Sequence, residues 1–210
     1  MMSSPDRVTT LVAYIGSLGD FPRVPTQEPY RHVGAALSDA LLQSGLRYET
    51  VVLPRVNRVL ADASARTVSG FLHLLEREGR NAVLQWQHPD KPARVLLVTR
   101  LLHEEGVETE ADLRGWLTDE AQCQTLLGIK GIGPKTVDYL QTLVGIPNLA
   151  VDRHMLAFVE EAGIRVAGYE EAYRLLIDTA AALGWPAGEL DMSIWTRMSR
   201  LAREKGKRRS

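Results

Sequence analysis

The sequence contains a single cysteine, Cys123, among its 210 residues. One thiol cannot form a disulfide within the chain, and alone it cannot hold a zinc ion or an iron–sulfur cluster. The five histidines are scattered along the chain and never pair at helical spacing beside a carboxylate. We therefore expect no dedicated metal centre, and any catalysis has to depend on ordinary side chains.

Long apolar runs and a strong net charge are also missing. No run of about 18 apolar residues could span a bilayer, and the first residues, MMSSPDRVTT, lack the pattern of a secretory signal. We therefore expect a soluble, cytoplasmic protein, nucleoid-associated if it is bacterial.

The formal net charge of −1 predicts no basic surface over the whole molecule, but basic residues are concentrated from Arg197 to Arg209. That run suits a solvated, frayed helix end and a phosphate-binding tail about equally.

No segment shows a convincing strand pattern, whereas apolar residues three and four positions apart are frequent. This helical spacing covers ten segments: Val33–Leu46, Val51–Leu60, Ala65–Glu78, Pro92–Glu105, Glu110–Leu117, Glu120–Leu127, Pro134–Val144, Val151–Ala162, Tyr169–Leu183 and Glu189–Ala202. The pattern predicts an all-α fold, built as one large domain or two small interlocking ones, with residues 1–30 irregular.

The segment GIKGIGPKTV, Gly128 to Val137, holds three glycines, a proline and two lysines between apolar runs. It is close to a nucleotide-binding Walker A loop, in which a glycine-rich turn is followed by a lysine and a threonine. Pro134 removes a backbone N–H that a phosphate cradle would use, and the preceding residues have a helical pattern where such a loop needs a strand. A nucleotide site is therefore disfavoured.

Two other interpretations of this segment are open. A plain corner between helices explains the glycines, because Gly131 or Gly133 can supply a positive φ and Pro134 can begin the next helix. It does not explain Lys135 near the positive end of the helix dipole, where a lysine is slightly unfavourable. A DNA-backbone clamp does, since N–H groups at a helix N-terminus bind a phosphate and the lysine then faces the nucleic acid.

The longer segment LLGIKGIGPKTVDYLQTLVGIPNLAVDRHM, Leu126 to Met155, resembles the signature of the helix-hairpin-helix DNA glycosylases of the endonuclease III type. That signature joins a hairpin of the form L-x-G-[IV]-G-x-K-T to a following helix and the sequence VD-x-H. Lys135 occupies the position of the lysine in this hairpin signature, and Asp152 follows 17 residues later. Weaker similarity extends over most of the chain from about Val33.

The resemblance implies an all-α architecture of two helical subdomains flanking a DNA-binding cleft. Residues 33–144 would form a helical barrel with the helix-hairpin-helix motif at about 120–144, and residues 1–32 with 145–210 a second subdomain carrying the basic tail. The implied partner is double-stranded DNA with a damaged base or abasic site, bound by a monomer.

Endonuclease III ends in cysteines around a [4Fe–4S] cluster that this chain lacks. We expect no cluster, but a monovalent cation bound by hairpin carbonyls together with DNA fits the resemblance.

The resemblance assigns catalysis to Lys135 and Asp152. Lys135 would attack C1′ of the damaged nucleotide, form a Schiff base and nick the strand by β-elimination. The dipole of the helix beginning at Pro134, together with partial burial, would lower the pKa of this lysine. Asp152 would stabilise the electron-deficient sugar and help to take the proton of the nucleophile. The same aspartate could instead cap the next helix, but its pairing with Lys135 favours catalysis.

The implied function is base-excision repair by a DNA glycosylase, with an oxidised pyrimidine favoured as the damaged base, and with AP-lyase activity. The alternatives are a monofunctional glycosylase for an alkylated or other damaged base, and a non-enzymatic helix-hairpin-helix DNA-binding protein. The expected DNA contacts are Lys130, Gly131, Ile132, Gly133 and Thr136 in the hairpin segment, Gln43, Arg47 and Tyr48 as candidates to plug the DNA stack, and Arg153. The basic tail would replace the loop that the missing cluster organises.

Overall fold

A computed structural model describes residues 4–43 and 45–207 of the chain, with side chains as far as residue 204. Every regular element within these residues is helical, and none of them is a strand. The expectation of an all-α fold is therefore confirmed. None of the described helices is both long and apolar enough to cross a bilayer.

The described residues form twelve α-helices. Their bounds are α1 Ser4–Ser17, α2 Val33–Leu42, α3 Leu53–Leu60, α4 Val68–Arg77, α5 Arg80–Val83, α6 Asp90–Glu104, α7 Glu110–Trp116, α8 Glu120–Leu127, α9 Pro134–Leu143, α10 Arg153–Glu161, α11 Tyr169–Leu183 and α12 Ala187–Lys207. A π turn at Tyr48–Val52 leads directly into α3, and a 3-10 turn at Ala63–Arg66 precedes α4.

Capping residues fix several of these helix starts. Thr109 and Asp112 form a capping box at α7, in which each side chain satisfies a backbone N–H of the other residue. Asp119 caps α8 by accepting a hydrogen bond from the N–H of Ala121. Pro134 begins α9, where its missing N–H costs nothing.

The start of the chain departs from the sequence-based expectation. Irregular structure over residues 1–30 is wrong for Ser4–Ser17, which forms α1. Leu11 and Ile15 are one helical turn apart, and both are buried in a helix that packs against α11. Val8 and Tyr14 of the same helix are partly buried against this core, so tertiary packing decides the structure of this segment more than its periodicity does.

The chain divides into two compact units. One comprises Glu28–Ile146 and therefore α2 to α9; the other comprises the described parts of Met1–Gln27 and Pro147–Ser210, with α1 and α10 to α12. In the second unit α1 packs on α11, while α10 and α11 both pack on α12. Phe158 of α10 lies at the centre of its core and contacts the rings of Tyr14 and Phe21.

The central element of the Glu28–Ile146 unit is α2. All ten of its residues are buried, because α3, α4, α6 and α9 pack around it. A helix enclosed on every side has no polar face to give to solvent, yet α2 carries Ser38 and Asp39 among its apolar residues. A buried carboxylate needs partners, and those partners define the candidate site.

Candidate active site

The segment between α8 and α9 is a tight hairpin with one glycine in a left-handed conformation. Gly131 has φ +88°, and the N–H of Ile132 closes the turn on the carbonyl of Ile129 at 3.0 Å. Ile132 is buried, so the hairpin is anchored to the core on its apolar side. Gly133 has the extended φ of −121°, which any residue can adopt. Of the two glycines proposed for a positive φ, only Gly131 needs it.

Arg94 of α6 lies across this hairpin. Its Nε donates to the carbonyl oxygen of Lys130 at 3.0 Å. A Cβ atom placed on Gly131 would come within 2.0 Å of the Arg94 guanidinium nitrogen, so the guanidinium fills the space that the missing side chain leaves. The positive charge of Arg94 is therefore held against a backbone carbonyl group of the hairpin.

Lys135 lies in the first turn of α9 and is half-buried. Its Nζ donates a hydrogen bond to Oε1 of Gln43 at 2.7 Å. Gln43 is the residue that immediately follows α2. The same Nζ lies 5.8 Å from the ring centroid of Tyr139, one helical turn further along α9. The structure thus brings together Lys135, expected as a nucleophile, and Gln43, expected as a plug residue.

Asp39, beneath this lysine, was not singled out by the sequence. Its carboxylate is fully buried, and Oδ2 accepts hydrogen bonds from the hydroxyls of Tyr30 at 2.8 Å, Tyr48 at 3.0 Å and Tyr139 at 3.3 Å. Oδ1 has no hydrogen-bond partner among the described residues. Burial raises the pKa of Asp39 to about 6, against the opposing effect of the tyrosine hydroxyls and the charge of Lys135.

The tyrosines around Asp39 are neutral donors. Burial, followed by the charge of Asp39, raises the pKa of Tyr48 well above its usual range, so this phenol keeps its proton at any physiological pH. Tyr139 connects the two sides of the cluster, because its ring faces Lys135 and its hydroxyl donates to Asp39. The cluster joins a cation and a buried anion through one aromatic side chain.

Lys91 of α6 also reaches the end of α2. Its Nζ donates to the carbonyl oxygen of Leu42 at 2.6 Å and lies 5.3 Å from the ring centroid of Trp86. Burial is the main cause that lowers the pKa of Lys91 to about 8, and the charges of Arg94 and Lys135 lower it further. Sequence reasoning did not single out Lys91 as a site residue.

Asp152 lies in the other compact unit, where it is the N-cap of α10. Its Oδ1 accepts hydrogen bonds from the N–H of His154 at 2.7 Å and of Met155 at 3.0 Å. Capping, the simpler interpretation of this residue, is therefore what the structure shows for Oδ1. The two bonds also hold the half-buried carboxylate in one orientation.

The other expected DNA contacts vary in exposure. Lys130, Arg47 and Arg153 are exposed, whereas Thr136 is half-buried in the first turn of α9. Tyr48 is half-buried, and its hydroxyl is held by Asp39 as described above. Among the described residues, no group of three or more histidine, cysteine, aspartate or glutamate side chains could hold a metal ion.

The basic end of the chain begins with two arginines that are already paired. Arg197 and Arg200 of α12 both contact the carboxylate of Asp20, the former at 2.6 Å. Hydrogen bonds from Arg200 and Arg197 lower the pKa of Asp20. The basic side chains after residue 204 lie outside the described side chains.

Comparison with known proteins places the chain in one family. A model of the family described as "Domain of unknown function (DUF8548)" matches residues 12–199, and the chain therefore belongs to this family. No curated protein and no solved structure gives a significant match. The matched range includes parts of both compact units.

Proposed function

We propose that this member of the DUF8548 family is a base-excision repair DNA glycosylase with AP-lyase activity. The observation that carries the proposal is the position of Lys135: a half-buried amine in the first turn of α9, directly after a hairpin closed by Gly131. A lysine beside the N-terminal N–H groups of a helix can contact both a phosphate and the sugar next to it. The endonuclease III-like signature in the sequence supports the same role.

The lysine chemistry proceeds in four steps. The neutral Nζ of Lys135 forms a bond to C1′ while the bond from C1′ to the base breaks, and the base leaves with the electron pair and a proton. Opening of the C1′–O4′ bond, in which O4′ takes the electron pair and a proton, gives a protonated Schiff base. Loss of a proton from C2′ then expels the 3′ phosphate, and water releases the lysine from the sugar fragment. The strand is therefore cut on the 3′ side of the lesion.

Asp152 supplies negative charge in this proposal. Cleavage of the N-glycosidic bond gives the sugar oxocarbenium character, which a fixed carboxylate stabilises. The two backbone bonds to Oδ1 of Asp152 support this role because they hold the group in one orientation at no cost during the reaction. The proposed partner is double-stranded DNA bound by a monomer, and an oxidised pyrimidine is the favoured lesion.

A monofunctional glycosylase is a second candidate, favoured by one specific contact. The hydrogen bond from Lys135 to Gln43 gives the amine a structural partner, which suits a lysine that holds DNA without reacting. In that enzyme water, and not Lys135, would attack C1′.

Borohydride trapping distinguishes the candidates. The protein is incubated with duplexes carrying an abasic site, an oxidised pyrimidine or an alkylated base, and borohydride is added to reduce any Schiff base to a stable adduct. A covalent adduct that is lost in Lys135→Ala and kept in Arg100→Ala supports the bifunctional enzyme. Arg100 is the control because it is an exposed cation of the same compact unit, paired with Glu76, and is not among the expected DNA contacts.

The other outcomes are equally informative. Release of a damaged base without any adduct would identify the monofunctional enzyme. Binding to DNA without either activity would leave a non-enzymatic DNA-binding protein, and the proposed function would be wrong.

A further inference from the structure

The chain uses lysine sparingly, with five lysines against twenty arginines. Two of these lysines, which come from different helices, meet at the same end of α2. Lys91 donates to the carbonyl of Leu42 at 2.6 Å, and Lys135 donates to the side chain of Gln43, the next residue, at 2.7 Å. The two amines are therefore held on adjacent residues.

We propose that Lys91 is a positioning residue that keeps a second positive charge beside Lys135 and so keeps the Lys135 amine reactive at neutral pH. The inference rests on the proposed function, in which Lys135 is the nucleophile. It assigns to Lys91 an electrostatic role that needs no contact with DNA.

The physical basis is repulsion between like charges. An ammonium group beside another ammonium favours the neutral form of its neighbour, and the effect acts on both groups. Lys91 shows its side of this interaction, since the charge of Lys135 is one of the causes that lower its pKa, after burial and the charge of Arg94. With a pKa of about 8, Lys91 is still mostly protonated at pH 7 and can exert the effect.

Some charged groups near Lys135 favour its ammonium form, and others disfavour it. From α6, Lys91 disfavours the ammonium form, because the charges of the two lysines act on each other. From α2, Asp39 favours it, because it is an anion above pH 6 and is affected by the charge of Lys135. Tyr139, on α9 itself, is a neutral hydroxyl donor between Lys135 and Asp39. A reactive amine at neutral pH therefore requires the charge of Lys91 to affect Lys135 more strongly than the buried anion Asp39 does.

The surroundings of Lys91 favour this role over binding a phosphate. Its Nζ is directed at a backbone carbonyl and lies over the ring of Trp86, so these contacts of the half-buried amine are made within its own unit. An arginine would carry a permanent charge and bind a phosphate through two parallel hydrogen bonds. The chain places arginine at most of its cationic positions, and this position is an exception.

The first experiment measures the titration of Lys135 without any DNA. Reductive methylation with ¹³C-formaldehyde labels all five lysines, and Lys135→Arg and Lys130→Arg assign two of the resonances. In the wild type we expect Lys135 to lose its proton about one pH unit below the exposed Lys130, which is a tenfold difference in neutral amine. Equal midpoints for the two lysines would overturn the inference without any substitution at Lys91.

Variants then test the cause. Lys91→Gln keeps a hydrogen-bond donor but no charge, and we expect it to raise the Lys135 midpoint by about one pH unit. Lys91→Arg retains the charge and should leave the midpoint near that of the wild type. Arg100→Gln is the matched control, because Arg100 is an exposed cation of the same helix, paired with Glu76. An unchanged midpoint in Lys91→Gln would exclude the proposed role.

The second experiment records borohydride trapping against pH. In Lys91→Gln we expect the rise in trapping to move to higher pH by the same amount, with little change in DNA affinity. A loss of affinity at an unchanged midpoint would make Lys91 a phosphate contact and overturn the inference. If the wild type gives no adduct at all, the proposed function fails, whereas the titration still decides whether Lys91 controls the amine.

Discussion

Arg94 donates its Nε–H to the carbonyl oxygen of Lys130 at 3.0 Å, so a side chain of α6 holds the hairpin that precedes α9. This carbonyl belongs to the turn whose carbonyl groups were expected to bind a monovalent cation. A guanidinium on one of them already supplies positive charge at the turn. The conformation of the hairpin therefore depends on α6 as well as on its own glycines.

Gly131→Ala should destabilise the protein and weaken DNA binding. The substitution forces an alanine to φ +88° and drives its Cβ into the Arg94 guanidinium. A non-glycine residue in such a conformation costs roughly 1–3 kcal/mol, which urea unfolding can measure. Gly133→Ala is the control for stability, since Gly133 has an extended φ and nothing within 4 Å of an added Cβ. Equal losses of stability in the two variants would show that Arg94 and the positive φ are not the cause.

Asp39 should make the protein less stable as the pH rises from about 4 to 6. Its pKa is about 6 in the folded state against an ordinary value of 3.8, so in this window the folded state binds more protons than the unfolded state. The raised pKa corresponds to about 3 kcal/mol of unfolding free energy that is lost across the window and not regained above pH 6. Asp39→Asn should remove this part of the pH dependence in urea unfolding measured at pH 4 and pH 7.

Asp62→Asn provides a comparison, because the contribution of Asp62 to stability changes with pH in the opposite direction to that of Asp39. Hydrogen bonds from Ser64 lower the pKa of Asp62, so its contribution is present above the unfolded pKa and is lost as the pH falls. If Asp39→Asn leaves the difference between pH 4 and pH 7 unchanged, the carboxylate is not held in the buried state described here.

Asp152→Asn should separate catalysis from capping. Asparagine caps helices about as well as aspartate, so the free energy of unfolding should change by less than about 0.5 kcal/mol. The negative charge is lost, and base release should fall on the order of 100-fold if the carboxylate stabilises the sugar cation. Asp152→Ala should lose about 1 kcal/mol of stability as well. Full activity in Asp152→Asn would leave this residue with its capping role alone.

Removing the residues after Leu201 should weaken DNA binding and reduce its salt dependence. The deleted stretch contains five basic residues and one acid. For every DNA phosphate that the shortened protein no longer neutralises, the slope of log K against log salt should become shallower by about 0.9. Arg197 and Arg200 are retained, and they pair with Asp20. An unchanged affinity and an unchanged slope would show that the tail does not replace the missing cluster loop.

The sequence predicted the helices better than it predicted the chemistry between them. Helical spacing and start signals gave most of α2 to α12, because they depend on residues a few positions apart. Asp39 was not identified from the sequence as a site residue, because its hydrogen-bond partners come from three separate stretches of the chain. Only the packing around α2 brings these partners, Tyr30, Tyr48 and Tyr139, together. An aspartate inside the apolar stretch ALSDALL was the one signal that could have identified it.

The hairpin shows a different limit. Composition indicated that a glycine was needed for a positive φ but could not choose between Gly131 and Gly133, because either fits a turn of this length. The structure selects Gly131 through the approach of Arg94, which lies more than thirty positions earlier in the chain. Contacts at such distances leave no periodic trace in the sequence.

Complete burial of α2 has a consequence for how long the candidate site persists. The amides of a helix enclosed on all sides exchange with solvent only when the surrounding unit opens. Asp39 lies within α2 and Gln43 directly follows it, so this part of the site should share the slowest hydrogen–deuterium exchange in residues 28–146. The arrangement beneath Lys135 would then survive the local openings by which loops and helix ends fluctuate, and would disappear only together with the fold.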